Sequence, residues 1–440
     1  MATQLIPDPP AAKTSASGFA WKIFRNPLDA LTELAYEQGD MARVKFLKRE
    51  LFLLNHPEFI EQVLVKQGSN FIKGSSLQRA RVILGESLLT SEGEEHLAQR
   101  RTLQPAFHRQ HMEQYLPLMN ENTLVHISNW NHGMRVDMSD EMMRLTLNIA
   151  LWSFFGSAPH GTVERVSESM KTLVRLFPLT QLPLSDSMRN LFPKFKQAGA
   201  DLRQVTESLL RNPQPVNAKR AFIDILKENN HGQFTDEQIR AHVLTFLLAG
   251  HETTALLLAW CWDMLAHHPV VQLKLQAEVD AVLGDRVPSS DDIQNLPYTR
   301  MVVKETLRTR PPVWALGRQA IQHCEIGGQR IRAGSSVLMS QWVTHHDSRF
   351  YDNPLQFRPE RWFSLEAATF PRYAYFPFGG GNRICIGEYF AMTEAIAVLA
   401  LIARRWNISP ALDAMAKPKP SVTLRPDKNV KLIIKRRTVK

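Results

Sequence analysis

Cysteine is scarce in this sequence, with three residues among 440, at positions 261, 324 and 385. No two of them have the Cys-x-x-Cys spacing. Thiols so few and so far apart exclude a disulfide-stabilised scaffold and argue against a structural zinc site. This cysteine usage fits a reducing compartment, so the sequence predicts a cytoplasmic protein.

Long hydrophobic runs are also missing. The strongest apolar runs, residues 243–249 and 255–262, are separated by a polar stretch at 250–254. Neither approaches the roughly 20 apolar residues that a bilayer requires. Residues 1–18 are rich in Pro, Ala and Ser, without an apolar core of signal-peptide length. We therefore expect a soluble protein without a membrane anchor, in which residues 1–18 are a disordered or extended lead-in.

No internal repeat or long linker divides the rest of the chain. Apolar residues make up 44% and charged residues 22% of the sequence, which is ordinary for a globular protein. The length fits two or three average domains or one large domain, and the composition shifts, with no dividing linker, fit one domain over residues 19–440. Lys plus Arg number 53 against 43 Asp plus Glu, a net charge of +10. Such an excess favours an anionic partner surface, although it does not distinguish nucleic acid, membrane and acidic protein.

The periodicity of apolar residues predicts the secondary structure. Residues 42–54 alternate apolar and charged side chains, which predicts a small hairpin. A short helix is predicted from Pro57, ending before Gly68. Helical periodicity dominates from residue 139 to about 230, whereas the basic tail at 428–440 alternates enough to predict an edge strand. The chain is therefore predicted to be mainly α with small β-sheets.

A glycine-rich loop near the C-terminus contains the most informative cysteine. Three consecutive glycines at 379–381 allow a tight turn and a close approach to a flat ligand. Cys385 follows, two residues after Arg383 and just before an apolar helical stretch. The helix dipole and the arginine charge would stabilise a thiolate, which is either a nucleophile or a metal ligand. An incidental cysteine in a flexible loop is the simpler alternative. A phosphate loop is disfavoured because no Lys-Ser or Lys-Thr follows the glycines.

A long central helix is predicted from Thr235, whose capping box includes Gln238, to His268 before Pro269. It would be about 50 Å long at 1.5 Å per residue. A helix this apolar on nearly all sides must pass through the core. The polar residues 250–254 lie in its middle, where burial penalises them. An internally bonded kink would explain them, but such a kink alone costs stability, so we interpret them as functional.

Residues 378–387 resemble the haem-binding loop of the cytochrome P450 family, F-x-x-G-x-R-x-C-x-G. The matching positions are Phe378, Gly381, Arg383, Cys385 and Gly387. The mid-helix residues 249–254 resemble the family motif A-G-x-E-T-T, and residues 305–308 resemble its E-x-x-R motif. These landmarks occur in the family order. The resemblance implies the cytochrome P450 fold, a haem b cofactor and Cys385 as the iron ligand.

The resemblance also implies roles for other residues around the haem. Two basic side chains four residues apart on one helix face would contact the propionates, although a solvated basic face is the simpler reading of that spacing. The small residues of the central helix would leave room over the haem, and an acid–alcohol pair would relay protons during oxygen activation. The expected haem contacts are His96, Arg100, Ala249, Gly250, Arg318, Phe378, Gly379, Arg383, Gly387 and Ala391; the expected acid–alcohol pair is Glu252 and Thr253.

A structural role is implied for Glu305 and Arg308. At a spacing of i, i+3 on an exposed helix such a pair would contribute only a few tenths of a kcal/mol. In the family, E-x-x-R pairs with a later arginine, and Arg361 in the stretch 357–362 is the expected third member. The three residues would form a buried structural triad behind the haem.

The implied activity is that of a haem-thiolate monooxygenase that inserts one oxygen atom from O2 into an apolar substrate. No flavin or ferredoxin segment is apparent, so electrons would come from a separate acidic ferredoxin or flavodoxin with an NAD(P)H-dependent reductase. This electron-donor protein would dock against the positively charged side chains of Arg101 and Arg109. A peroxide-driven peroxygenase on the same fold is an alternative, although such enzymes characteristically lack the acid–alcohol pair. A non-catalytic haem sensor or carrier is a second alternative. Nucleic acid is not expected as a partner.

The substrate is less constrained than the reaction. A fatty acid and a terpenoid are both consistent with the apolar candidate pocket. The overall character of residues 88–108 resembles that of the fatty-acid-oxidising members of the family. Residues 74–90 are predicted to be a loop that is unusually apolar. The candidate pocket residues are aliphatic and fall in this loop or where family substrate contacts fall: Leu84, Leu89, Leu244, Leu248, Val313, Ala315 and Val422.

Overall fold

The computed structural model describes residues 16–46, 49–156, 159, 161–180, 193–211, 222–230, 232–363, 369–411 and 414–438. We number helices and strands in chain order within these ranges. The predicted lead-in lies outside them, except for residues 16–18, which are helical and begin the first helix. The prediction of a mainly α chain with small β-sheets in a single large domain is confirmed.

The helices account for most of the described residues. The N-terminal half contains α1 (Ala16–Arg25), α2 (Pro27–Gln38), α3 (Pro57–Glu61, continued by a π-turn over Gln62–Lys66), α4 (Ser75–Arg79), α5 (Arg81–Leu84), α6 (Gly93–Leu103), α7 (Arg109–Ser128), α8 (Met138–Phe155), α9 (Thr162–Thr180), α10 (Pro193–Arg211) and α11 (Phe222–Asn230). The C-terminal half contains α12 (Asp236–His267), α13 (Pro269–Leu283), α14 (Ser290–Gln294), α15 (Pro297–Thr309), α16 (Gln341–His345) and α17 (Glu388–Arg405).

The strands form four small sheets. Their bounds are β1 (Met41–Phe46), β2 (Arg49–Leu54), β3 (Phe71–Lys73), β4 (Met134–Asp137), β5 (Leu316–Ala320), β6 (Cys324–Ile326), β7 (Gln329–Ile331), β8 (Ser336–Met339), β9 (Trp406–Pro410), β10 (Pro418–Pro420), β11 (Leu424–Pro426) and β12 (Lys431–Arg436). The largest sheet has the order β1-β2-β8-β5-β3, and β4-β12-β9, β10-β11 and β6-β7 form the others. β2 and β8 are parallel, and the other pairs are antiparallel.

Two sequence-based expectations about secondary structure are wrong. The predicted C-terminal edge strand, β12, lies in the middle of its sheet, where it pairs with both β4 and β9. Alternation of apolar residues shows that a segment is a strand, but it does not show how many neighbours the strand has. The predicted loop at 74–90 contains the short helices α4 and α5, because helices of four or five residues leave too little periodicity to recognise.

Helix α12 is the axis of the core. Its N-terminus has the predicted capping box, in which Thr235 Oγ1 accepts a hydrogen bond from the amide of Gln238. By length and composition it is the one described helix that could cross a membrane, but 78% of its most apolar window is buried inside the protein. α12 packs along α8 and also contacts α15, α17 and β9. It is therefore a core helix against which the surrounding elements pack.

Candidate active site

The loop before α17 holds Cys385 at the start of that helix. The amide of Cys385 donates to the carbonyl of Phe378 over 2.9 Å, which closes the loop, and Gly379 and Gly381 have φ angles of +76° and +65°. A Cβ at Gly381 would lie 1.8 Å from the carbonyl oxygen of Leu64, and one at Gly380 would strike the ring of Tyr373. Backbone conformation and packing against the protein therefore require these glycines.

Cys385 faces an interior space. Its side chain is accessible, yet burial among surrounding groups raises the pKa of its thiol above the ordinary value. Accessibility combined with desolvation is characteristic of a side chain that lines a cavity inside the protein. The amide of Gly387 donates toward Cys385 and lowers the pKa, but burial has the larger effect. Full ionisation of this thiol therefore requires a further positive charge, such as a metal ion.

Two arginines lie close to the Cys385 loop and have different partners. Arg383, two residues away, forms an ion pair with Glu92 and donates to the carbonyl of Ser91 over 3.3 Å. Arg100 of α6 lowers the pKa of the Cys385 thiol, and its Nη1 donates to the carbonyl of Ile384 over 2.8 Å. Arg100 is therefore a source of positive charge at this thiol, beside the Arg383 that the sequence indicated.

A cluster of basic side chains lies beside this loop: Lys73, His96, Arg100, Arg318 and Arg383. Burial, followed by mutual repulsion, lowers the pKa of Lys73 to about 7, of His96 to about 3 and of Arg318 to about 10. The carboxylates of Glu92 and Glu95 oppose this effect at Lys73 without cancelling it. The cluster therefore has an excess of buried positive charge, which a dianion would satisfy.

Lys73 is the member of this cluster that sequence reasoning missed. It lies in β3 and is buried, and its Nζ donates to the carbonyls of Leu88 and Ser91 over 3.0 and 2.7 Å. Its amide donates to Glu92 over 2.8 Å. No signal in the sequence marks this lysine, because its neighbours come from loops that only the fold brings together.

The donor set fits haem. Among the described residues no cluster of three His, Cys, Asp or Glu side chains could hold a bare metal ion. A single thiol suits an iron whose other ligands come from a macrocycle, and the basic cluster suits the two propionate carboxylates. Cys385 would bind the iron. Phe378, Gly387 and Ala391 belong to the same loop and helix start, where the Ala391 amide donates to the Gly387 carbonyl over 2.9 Å.

One face of α12 is accessible although the helix passes through the core. Ala249 is exposed although it lies mid-way along a core helix, and Thr253, one turn later, is half-buried. The Thr253 hydroxyl donates to the Ala249 carbonyl over 2.8 Å. Gly250 does not share this face, because a Cβ there would lie 3.4 Å from the ring of Phe154 on α8. Ala249 therefore leaves the space that the sequence assigned to both residues, while Gly250 allows α8 to approach.

Glu252 does not contact Thr253 in this structure. Its Oε1 accepts hydrogen bonds from the Thr423 hydroxyl over 2.8 Å and from Arg425 Nη2 over 2.7 Å. The carboxylate is buried, at 5% exposure. Thr423 and Arg425 lie more than 170 positions along the chain from Glu252, so no local pattern in the sequence could have identified them.

The structure brings Glu305, Arg308 and Arg361 together. Arg308 forms two bonds to the Glu305 carboxylate, of 3.0 and 2.8 Å, and Arg361 Nε donates to Oε1 over 2.9 Å. The Trp362 indole donates to Oε2 over 3.0 Å. All three charged side chains are at most 1% exposed. Arg308 also donates to the carbonyls of His345 and Pro354 over 2.7 Å, so this network joins α15 to the segment before the cysteine loop.

The aliphatic pocket candidates differ in their surroundings. Five are half-buried: Leu84, Leu89, Leu248, Val313 and Ala315. Val422, at the tip of the β10–β11 hairpin, is 44% exposed. Leu244 is 4% exposed and packs within the main core, so its surroundings favour a packing role.

Comparisons with known proteins agree with the site. The family model for cytochrome P450 matches residues 10–434. Cyclooctatin synthase from Streptomyces melanosporofaciens is 34% identical over 93% of this chain and 91% of its own length. Cyclooctat-9-en-7-ol 5-monooxygenase from the same organism is 33% identical over 89% and 87%. Pentalenene oxygenase from Streptomyces avermitilis is 28% identical over 96% and 95%. With this match over nearly its whole length, the chain belongs to the cytochrome P450 family and is a P450 monooxygenase.

Proposed function

We propose that this P450 hydroxylates a cyclic terpenoid in the reaction RH + O2 + NAD(P)H + H⁺ → ROH + H2O + NAD(P)⁺. One oxygen atom enters a C–H bond, and the other leaves as water with two protons. Haem b bound through Cys385 would supply oxygen binding and one-electron chemistry, which the thiolate favours by donating electron density. The observation that carries the proposal is the accessible Cys385 thiol beside the buried basic cluster.

The protein's own residues would perform three tasks. Arg100, Arg318, Arg383, His96 and Lys73 would hold the propionates through charge-assisted hydrogen bonds. Ala249 would leave space over the reacting centre. Thr253 would hold a proton donor at that space through its hydroxyl group, with Glu252 as the acid that resupplies the proton.

The substrate class rests on the relatives. Two of them are named for cyclooctat-9-en-7-ol and pentalenene, and the candidate pocket of this chain is aliphatic. A largely hydrocarbon ring system needs burial more than hydrogen bonds. We therefore favour a cyclic terpenoid over a fatty acid, despite the resemblance of residues 88–108 to fatty-acid-oxidising members.

Titration of the haem spectrum tests the substrate class. Pentalenene and fatty acids of matched carbon number are added separately to the purified protein, and the shift of the Soret band is followed. We expect saturable shifts with the terpenoid at lower concentration. Tighter binding of the fatty acids would contradict the terpenoid assignment and leave the reaction class standing.

Electrons would come from a separate acidic ferredoxin or flavodoxin with its NAD(P)H-dependent reductase, and the enzyme would work in the cytoplasm. Arg101 on α6 is exposed, whereas Arg109 at the start of α7 pairs with Glu113 over 2.7 Å. Arg101 is therefore the stronger candidate of the two for partner docking. Product formation with NAD(P)H and a reductase system, but not with hydrogen peroxide alone, would separate this function from a peroxygenase.

A further inference from the structure

The β10–β11 hairpin reaches α12 at Glu252. β10 (Pro418–Pro420) and β11 (Leu424–Pro426) are joined by residues 421–423. Thr423 at the end of this turn and Arg425 in β11 both donate to the same oxygen of Glu252, over 2.8 and 2.7 Å. Arg425 Nε also lies 3.4 Å from the Thr423 hydroxyl, so the three side chains form one connected group.

The same hairpin is hydrogen-bonded to the residues on either side of the pocket candidate Val313. The Leu424 amide donates to the Pro312 carbonyl over 2.8 Å, and the Trp314 indole donates to the Ser421 carbonyl over 3.0 Å. The Trp260 indole of α12 donates to the Leu424 carbonyl over 3.1 Å. Val313 and Val422 are each flanked by these bonded residues. A displacement of residues 312–314 would therefore also move the hairpin that carries Thr423 and Arg425.

The direction of the Glu252 carboxylate matters for proton delivery. Ala249 and Thr253 are one turn apart, and their accessibility marks the open face of α12. Glu252 is buried and directs its carboxylate to the hairpin. A carboxylate that accepts bonds from a guanidinium and a hydroxyl is an acceptor only, so in this arrangement it presents no proton to Thr253.

We propose that Arg425 and Thr423 are positioning residues that hold Glu252 away from Thr253, so that the β10–β11 hairpin gates proton delivery. This inference rests on the proposed role of Glu252 and Thr253 and assigns its control to residues outside α12. Release of the carboxylate from the hairpin lets it turn toward Thr253 and pass a proton to it from solvent. Oxygen reduction without substrate is slow while the hairpin holds Glu252.

The experiment compares Arg425→Met and Thr423→Val with Arg425→Lys, Thr423→Ser and Lys419→Met in the haem-loaded enzyme. Lys419 lies opposite Arg425 in the hairpin register and is exposed, so its substitution removes a cation without touching Glu252. The first readout is substrate-free NAD(P)H oxidation with a surrogate ferredoxin and reductase. We expect a rise of about twofold to tenfold in Arg425→Met and Thr423→Val, comparable to one lost hydrogen bond. Glu252→Gln should abolish this rise, and the three other variants should match the parent.

The second readout does not depend on activity. Infrared difference spectra between each protein and its Glu252→Gln derivative, with ¹³C-labelled glutamate, isolate the carboxylate band of Glu252. We expect this band to move in Arg425→Met and Thr423→Val and to stay in place in Lys419→Met. Loss of packing alone would lower haem content, and any rise in substrate-free oxidation that it caused would persist with Glu252→Gln.

Two results would overturn the proposal. In the first, Arg425→Met and Thr423→Val give the same values as Lys419→Met in both readouts. In the second, the rise in substrate-free oxidation persists when Glu252→Gln is added. Thr423→Val retains Arg425 and both strands, so it decides the matter if Arg425→Met does not fold. Failure of the proposed function is recognised separately, by a parent protein whose reduced carbon monoxide complex lacks the red-shifted haem-thiolate band.

Discussion

At the scale of single residues, Cys385 shows how a protein prepares a metal ligand. Burial raises the pKa of its thiol, while the Gly387 amide and the Arg100 charge lower it. Cys261 is fully buried, and its thiol pKa is raised to about 12, whereas Cys324 is half-buried on β6. Of the three cysteines, Cys385 alone is exposed.

We predict that Cys385→Ser abolishes the red-shifted Soret band of the reduced carbon monoxide complex. A hydroxyl is a far weaker ligand than a thiolate and donates less electron density. Cys261→Ser and Cys324→Ser are the matched controls and should retain the band. An imidazole-type spectrum from the folded parent protein would contradict the assignment of Cys385.

Lys73 gives the site a dependence on pH. Burial and the charge of Arg383 lower its pKa to about 7 from the ordinary 10.5. A bound dianion favours the charged lysine, so the pKa of Lys73 is higher in the porphyrin complex than in the free protein. Affinity for a propionate-bearing porphyrin is therefore fully present below pH 7 and is lost as the pH rises through 7 toward the pKa of the complex.

We predict that haem-free protein binds metal-free protoporphyrin IX about tenfold more weakly per pH unit above pH 7, the slope of a single proton. Lys73→Met should weaken binding at pH 6.5 and remove this slope. Porphyrin fluorescence measures the dissociation constants, and the absence of a metal keeps Cys385 out of the equilibrium. The dimethyl ester of the porphyrin should bind the parent without the slope, and an equal slope in Lys73→Met would assign it to another group.

At the scale of elements, three consecutive carbonyls of α12 receive side-chain donors beside the interior face. The Thr253 hydroxyl donates to the Ala249 carbonyl, and the Thr254 hydroxyl donates to the Gly250 carbonyl over 3.0 Å. The Thr146 hydroxyl of α8 donates to the His251 carbonyl over 3.0 Å. Hydroxyl groups that bond helix carbonyls loosen the backbone ladder locally. Thr253 is half-buried beside the interior, whereas Thr254 is buried.

Thr253→Ala should retain haem and substrate binding but divert reducing equivalents to hydrogen peroxide, because the hydroxyl that places the proton is lost. The yield of peroxide per NAD(P)H consumed measures this diversion. Thr254→Ala is the matched control, since it removes the same kind of bond one residue further along the helix. If the two variants give equal coupling to product, Thr253 has no special role in proton transfer.

The Glu305 network joins α15 to the segment that precedes the cysteine loop, and we predict that it contributes to the free energy of unfolding. Glu305→Gln leaves two arginines that are at most 1% exposed without their compensating charge. Breaking a buried pair in this way costs about 3–5 kcal/mol of unfolding free energy. Chemical denaturation of the haem-loaded protein should show this loss. Glu33→Gln, which breaks the exposed pair with Lys22, should leave stability unchanged.

Sequence reasoning succeeded where a motif is local and failed where the fold joins distant segments. The Thr235 cap and the positions of Glu305 and Arg308 are readable because each depends on residues within one or two turns. Lys73 and the partners of Glu252 were missed, since they reach the site from separate strands. The ion pair of Arg383 with Glu92 was missed for the same reason. Glu92 precedes Arg383 by 291 positions, so spacing along the chain could not show that the two side chains pair.

At the scale of the whole molecule, the net charge of +10 sets the field that an electron donor meets. Association of oppositely charged surfaces is steered electrostatically, and salt weakens it because the Debye length falls to about 8 Å at physiological ionic strength. Arg101 is exposed on the same helix as Arg100, which acts on Cys385. A donor that docks against α6 would therefore approach the thiolate side of the site.

We predict that Arg101→Glu slows reduction by an acidic ferredoxin and flattens the dependence of that rate on salt. Arg109→Glu should have a smaller effect, because Arg109 already pairs with Glu113. Lys435→Glu on β12 makes the same change in net charge at another exposed position, so it separates local docking from the overall field. Stopped-flow measurement of the first electron transfer across a range of salt concentrations gives the rates. Rates for Arg101→Glu that match those of Lys435→Glu at every salt concentration would place the docking surface elsewhere.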